Sequence, residues 1–96
     1  MLRHTVFFKL KEPTEKNKEH VYDKIIGMKG RIEGLLDMNV GVNVSQDEKA
    51  YDIIASFDVE NEIALQAFAN DPVHVEVVHA ILDSISDIKI VDHLVL

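Results

Sequence analysis

No cysteine occurs in the 96 residues, so neither a disulfide nor a thiolate-held metal can brace the fold. Tryptophan is absent, proline occurs twice and glycine four times. That leaves no proline-rich linker and no glycine-rich phosphate loop, and no cofactor is expected. No apolar run approaches the roughly 18–20 residues of a membrane span. The opening Met1-Leu2-Arg3-His4-Thr5-Val6-Phe7-Phe8-Lys9 lacks the long apolar core and small-residue cleavage site of a secretory signal. A cytoplasmic protein without a membrane segment is therefore expected. Basic side chains are scarce beyond residue 31, where two Lys/Arg face thirteen Asp/Glu. Residues 1–31 carry a net charge of +4, but the whole chain carries −7. Such an acidic surface repels phosphate backbones, so nucleic acid is not an expected partner.

What is present is a globular composition, 47% apolar, of a length that makes one domain over 1–96. A chain this short buries only about 60–65% of its unfolded surface. The usual supplements are disulfides, a metal or a partner subunit. With thiols absent, a homodimer is expected.

Residues 2–11 alternate, with Leu2, His4, Val6, Phe8 and Leu10 on one face. The spacing predicts a first strand whose core face includes His4. Thr14 is a candidate N-cap, and Val21, Ile25, Met28 and Ile32 recur at helical spacing. A helix over 14–31 is expected, stopped by Gly30 or Gly34. Met38, Val40, Val42 and Val44 predict a second strand. Tyr51, Ile53, Ala55 and Phe57 share one face of a third, joined to the second by a polar turn at 45–49. Ile63, Ala64, Ala67 and Phe68 predict a short helix over 60–70, which Asp71-Pro72 breaks. Asp71 suits an N-cap and Pro72 the first position of a new helix running to Ser84. Ile88, Ile90, Asp92 and Leu94 form one face of a last strand. The order β-α-β-β-α-β predicts an α+β, ferredoxin-like fold with a four-stranded antiparallel sheet, order 4-1-3-2, and helices on one face. The other face would expose Phe7, Ile54, Val91 and Val95, and pairing two such faces would cover both.

In this topology the start of the first strand lies beside the end of the last, which brings His4 to Asp92. Each is the odd polar residue on an apolar face, and each needs a partner if buried. A His–carboxylate hydrogen bond is the simplest solution, and its structural role alone would account for both residues. His74 begins the helix after Pro72, on an apolar stripe with Val78, Ile81 and Ile85. In its neutral form it can act as a general base, with Asp92 orienting a histidine ring. His74 and His79 are five apart and cannot share a metal as residues at i and i+4 do, His20 lies in a charged stretch, and His93 faces away from Asp92. No metal site is expected.

The segments His4-Thr5-Val6-Phe7-Phe8-Lys9-Leu10-Lys11, Gly34-Leu35 through Val40-Gly41-Val42-Asn43, Phe68-Ala69-Asn70-Asp71-Pro72-Val73-His74 and Val91-Asp92-His93 resemble those of the stress-responsive A/B barrel (Dabb) family. The resemblance spans almost the whole chain and implies a dimeric α+β barrel. One branch of that family contains plant polyketide cyclases that close a linear polyketide thioester by aldol chemistry. The motif match puts the cyclase histidine on His74, a strand-one pocket histidine on His4 and a pocket aspartate on Asp92. The cyclase tyrosine falls on Phe68, which has no hydroxyl to hold a carbonyl oxygen; losing one such donor costs about 10²–10³ in rate.

Two kinds of function follow. In the first, an apolar pocket lined by Val6, Phe8, Phe57, Phe68 and Val78 binds or transforms a small carbonyl or polyketide-like molecule, with His74, His4 and Asp92 moving or orienting protons. In the second, a stress-responsive dimer fills that pocket with its own side chains and is not catalytic. A cofactor-free monooxygenase is a third reading.

Overall fold

The computed structural model describes all 96 residues. In chain order the elements are β1 (Leu2–Leu10), α1 (Glu15–Ile26), β2 (Asp37–Val42), β3 (Ile53–Val59), α2 (Glu62–Asn70), α3 (Pro72–Ile81), a 3₁₀ turn (Leu82–Ser84) and β4 (Ile85–Leu94). The strands form one antiparallel sheet in the order β2-β3-β1-β4, the expected ferredoxin-like arrangement.

Helix starts follow local chemistry. The Thr14 hydroxyl accepts from the Asn17 N–H at 3.2 Å, Asn61 accepts from Ala64 at 2.9 Å, and Asp71 accepts from Val73 at 2.8 Å with Pro72 at the first helical position. Helix α1 ends at Ile26, not near residue 31. Gly27 closes it, and the chain then turns through Gly30 and Gly34, whose φ values of 77° and 85° lie in the left-handed region. Met28 and Ile32 are still buried. A turn can satisfy the same spacing of apolar residues as a helix, and here it does.

Three further boundaries differ from the sequence expectation. β2 ends at Val42, and Val44 is fully exposed. The connection over 43–52 is longer than a tight turn, held by local bonds such as Ser45 N–H to Asn43 Oδ1 (2.9 Å) and Lys49 N–H to Asp47 Oδ1 (2.7 Å). β3 starts at Ile53, so Tyr51 is not on its core face. Asp52 diverts the chain: its carboxylate accepts from the Leu10 N–H at 2.8 Å. Tyr51 instead donates its hydroxyl to Asp87 beneath Lys9. That bond holds the Asp87 carboxyl below the usual range and raises the Tyr51 phenol. β4 begins at Ile85, with an irregularity opposite Lys9 and Leu10.

The core lies between the sheet and the helices. Val6, Phe8, Ala55 and Phe57 of the central strands meet Val21 and Ile25 of α1, Phe68 of α2 and Val77 and Ile81 of α3. The opposite sheet face has no cover. Ile54 and Val91 are exposed there, with Phe7 half-buried, while Val95 lies past the end of β4. Gly41 lets β2 lie close against Ile54 on this face: a Cβ would stand 3.1 Å from Cγ2 of Ile54, which would have to give by a few tenths of an ångström. Arg3 bridges Asp58 with two bonds of 2.7 and 3.0 Å, and Asp58 is buried. Donation by Arg3 holds the Asp58 carboxyl below its ordinary range.

Candidate functional site

The helices pack mainly on β1, β2 and β3, and no helix packs extensively on β4. A gap therefore opens between α3 and β4. It is a cavity of about 310 Å³ floored by Val6, Phe8 and Phe57 and walled by Val77, Val78, Ile81, Ile88 and Ile90, with Ile25 and Met28 at the α1 side. The edge position of β4 explains why Ile88 and Ile90, on its core face, remain 40% and 56% exposed. The apolar face expected for this strand is one bank of an open pocket.

Only His4 and His74 interrupt the apolar wall. His4 lies opposite Asp92 in the β1–β4 ladder, and His4 Nδ1 is 2.5 Å from Asp92 Oδ1. The His4 side chain is 16% exposed and that of Asp92 40%, so the pairing expected from strand alternation forms, but at the rim and not in the dry interior. His74 sits in the first turn of α3, where the Asp71 cap and Pro72 fix the helix start. Its Nδ1 is 3.0 Å from the Ala69 carbonyl oxygen. A carbonyl or an ionised carboxylate can only accept, so each ring donates through Nδ1. Nε2 is left as the free nitrogen of both histidines. A neutral Nε2 accepts, and a protonated one donates.

Phe68 is not on the cavity wall. It is 2% exposed and packs behind the histidines, its ring 4.6 Å from His74, 4.9 Å from Phe57 and 6.2 Å from His4. This aromatic cluster fixes the tilt of both imidazoles. Val6, Phe8, Phe57 and Val78 are on the wall, and Asp92 stands behind His4. The sequence reading did not name Ala69, Ile25, Met28, Leu82, Ile88 or Ile90 as pocket residues. For Ile88 and Ile90 the signal was present, since both share the strand face of Asp92. For Ile25 and Met28 only the packing of α1 decides.

His20 and His79 are exposed, and His93 lies on the opposite sheet face beside Arg3. No group of three or more His, Asp or Glu side chains is arranged to hold a metal ion. No helix is long and apolar enough to cross a membrane.

The model of the stress responsive A/B barrel domain (Dabb) matches residues 2–95. The chain belongs to that family. Among solved structures, a dimeric ferredoxin-like protein of unknown function from Thermobifida fusca is 20% identical, with a TM-score of 0.86 over 98% of this chain and 90% of that one. A Dabb family protein from Mesorhizobium loti is also 20% identical, with a TM-score of 0.83 over 99% and 96%. A hydroxynitrile lyase from Passiflora edulis is 12% identical, with a TM-score of 0.82 over 99% and 93%. At these identities the likeness is one of fold. The sequence has no match among curated proteins.

Proposed function

We propose that this Dabb protein is a homodimer that takes a small, mainly apolar carbonyl compound into the α3–β4 cavity and moves a proton on it through His74. The observation that carries this reading is the pair of histidines, each tied through Nδ1, at the polar end of an open apolar cavity. His74 Nε2 takes a proton from a carbon next to the carbonyl. His4, carrying a proton and backed by Asp92, donates to the carbonyl oxygen as charge grows there. As the carbonyl re-forms, its oxygen returns the proton to His4; the His74 proton goes to a different carbon in isomerisation, to the oxygen of the second carbonyl that the enol carbon attacks in aldol closure, and to the departing group in elimination. Phe68 offers no hydroxyl, which leaves the oxygen to His4 alone. One protein of this fold is a hydroxynitrile lyase, so the architecture accommodates small-molecule chemistry.

The open cavity argues against a barrel that fills its own pocket, because a void of this size forfeits contacts a closed core would make. The homodimer is supported by the exposed apolar sheet face and by several dimeric proteins of the same fold.

The test is a thermal-shift screen against apolar aromatic and aliphatic carbonyl compounds. A ligand at 100 times its Kd adds about 2.7 kcal/mol of stability. A rise that disappears in folded His74→Ala supports the reading. No rise across a broad panel favours a non-catalytic dimer.

A further inference from the structure

The sheet face away from the helices carries a row of charge that crosses all four strands. Asp37 of β2 lies beside Asp58 of β3, Asp58 beside Arg3 of β1, and Arg3 beside His93 of β4. From one sheet edge to the other the row reads acid, acid, base, imidazole. Its members act on one another. Arg3, held charged first by its bonds to Asp58, is held so by Asp37 as well. Asp58, kept ionised first by Arg3, is kept so also by His93 and the amino terminus. Further along the same face Phe7 lies beside Ile54, and near the far end of β1 Lys9 lies beside Asp87.

A second copy is the partner this face fits, and the row fixes how it sits. Two aligned sheets packed face to face keep their strands within about 30° of each other. The two-fold axis then runs either across the strands or along them. An axis across the strands lays β1 head to tail on its own copy, so Arg3 meets the partner's Lys9, cation on cation. An axis along the strands, between β1 and β3, reverses the strand order over the row. Asp37 then meets the partner's His93, Asp58 the partner's Arg3, and Phe7 the partner's Ile54. Each pair forms twice, because a two-fold interface is self-complementary. The lengthwise arrangement is the one that sets opposite charges together.

His93 can complete its pair in one protonation state. Its Nδ1 is 2.9 Å from the Leu94 carbonyl oxygen, which can only accept, so the ring hydrogen sits on Nδ1. A neutral Nε2 is an acceptor and would face a carboxylate, a second acceptor. A proton on Nε2 turns that contact into a charge-assisted N–H···O bond. Histidine is the side chain that ordinarily gains a proton between roughly pH 5 and 8. Within its own chain His93 faces Arg3 and the amino terminus, which oppose a further positive charge, and Asp58, which favours one. Its own Asp37 stands at the far edge of the row, and Asp92 lies on the other face of the sheet. A second carboxylate reaches His93 when the partner supplies it.

We propose that the dimer is proton-linked: each copy's His93 takes a proton from water on Nε2 and donates it in a hydrogen bond to the partner's Asp37, so that acid tightens the pairing. This rests on the homodimer reading above and adds its register and its regulation. Both side chains are exposed in the single chain, so the fold tolerates substitution at either.

Sedimentation velocity at pH 6 and pH 8, across a micromolar range, tests the switch. The two symmetry-related pairs are expected to make the dimer Kd about tenfold lower at pH 6. His93→Gln is expected to flatten that dependence. Asp37→Lys sets a lysine against the partner's His93 and is expected to raise Kd about tenfold at pH 6. Adding His93→Glu to Asp37→Lys reverses both signs of the pair and is expected to restore the affinity and leave it independent of pH. Equal Kd at pH 6 and 8 in the natural protein, or a dependence that survives His93→Gln, would overturn the switch while leaving the dimer standing. A reversed pair that stays folded by circular dichroism yet does not recover would overturn the register. A natural protein that is monomeric at both pH values would sink the homodimer reading and this inference with it.

Discussion

His4 and Asp92 face one another across the β1–β4 ladder, 88 residues apart in sequence, with Nδ1 and Oδ1 at 2.5 Å. The carboxylate fixes which nitrogen of His4 carries hydrogen, and so which one meets a ligand. Asp92→Asn keeps the shape but offers either an acceptor or a donor to Nδ1. Long-range ¹H–¹⁵N NMR at pH 8 should show His4 as the Nδ1–H tautomer in the natural protein and as a mixture in the variant. Asp92 is partly exposed, so the melting temperature should change little while affinity for a pocket ligand falls about tenfold. An Nε2–H tautomer in the natural protein would sink the positioning role.

Val78 borders the cavity from α3 and is only partly buried. Val78→Phe projects a ring into empty space, not into packed atoms, so the overpacking cost of a filled core does not apply. Stability in urea should stay within about 1 kcal/mol of the natural protein, and ligand-induced thermal shifts should vanish. Phe57→Ala provides the contrast: its ring is 3% exposed under the cavity, and its loss should cost about 3–5 kcal/mol. If Val78→Phe destabilised the protein as strongly, the cavity would not be open in solution.

Strand alternation and the β-α-β-β-α-β order made the sheet legible. Once His4 and Asp92 were assigned to β1 and β4, their meeting followed from topology alone. Helix starts at Thr14 and Asp71 were legible because a capping side chain acts within three residues. The end of α1 was not, because Met28 and Ile32 are buried by a turn that repeats helical spacing. Tyr51 was misplaced because Asp52, bonded to the Leu10 N–H, ends the strand pattern through a contact 42 residues away. The pocket was half legible. Its histidines stood out as polar residues on apolar faces, but the exposure of Ile88 and Ile90 depends on where α3 stops short of β4. Phe68 falls behind the wall because its ring packs against His74, Phe57 and His4, contacts that its helical spacing does not reveal.

Acid should act first on the outer face. Asp58 has its carboxyl held below the ordinary range by donation from Arg3, so the folded state binds that proton less readily than the unfolded chain. The stabilisation is present above the unfolded Asp value, near 3.8, and is lost as pH falls below it toward the folded value. Arg3→Met leaves Asp58 buried opposite Asp37, where desolvation and like charge both favour the neutral acid. The sign then reverses, and the variant should lose stability as pH rises above the ordinary Asp value. Urea midpoints from pH 3 to 8 for both proteins check this. Parallel profiles would show that the pair does not set the acid limit.

The proposed dimer would pair through the same face. Ile54 and Val91 are exposed on a sheet surface with no helix over it, and Phe7 is only partly covered. Covering apolar area contributes about 25 cal/mol per Å², which a chain of this length needs. Two-fold pairing covers the face on both copies at once. Light scattering should give about twice the 10.9 kDa chain mass. Ile54→Lys places two charges across the two-fold axis without disturbing the core, since Ile54 is 43% exposed in the single chain. It should shift the mass toward one chain at micromolar concentration while the far-ultraviolet circular dichroism is retained. A natural protein that is monomeric at that concentration, or a variant that stays dimeric, would place the interface elsewhere.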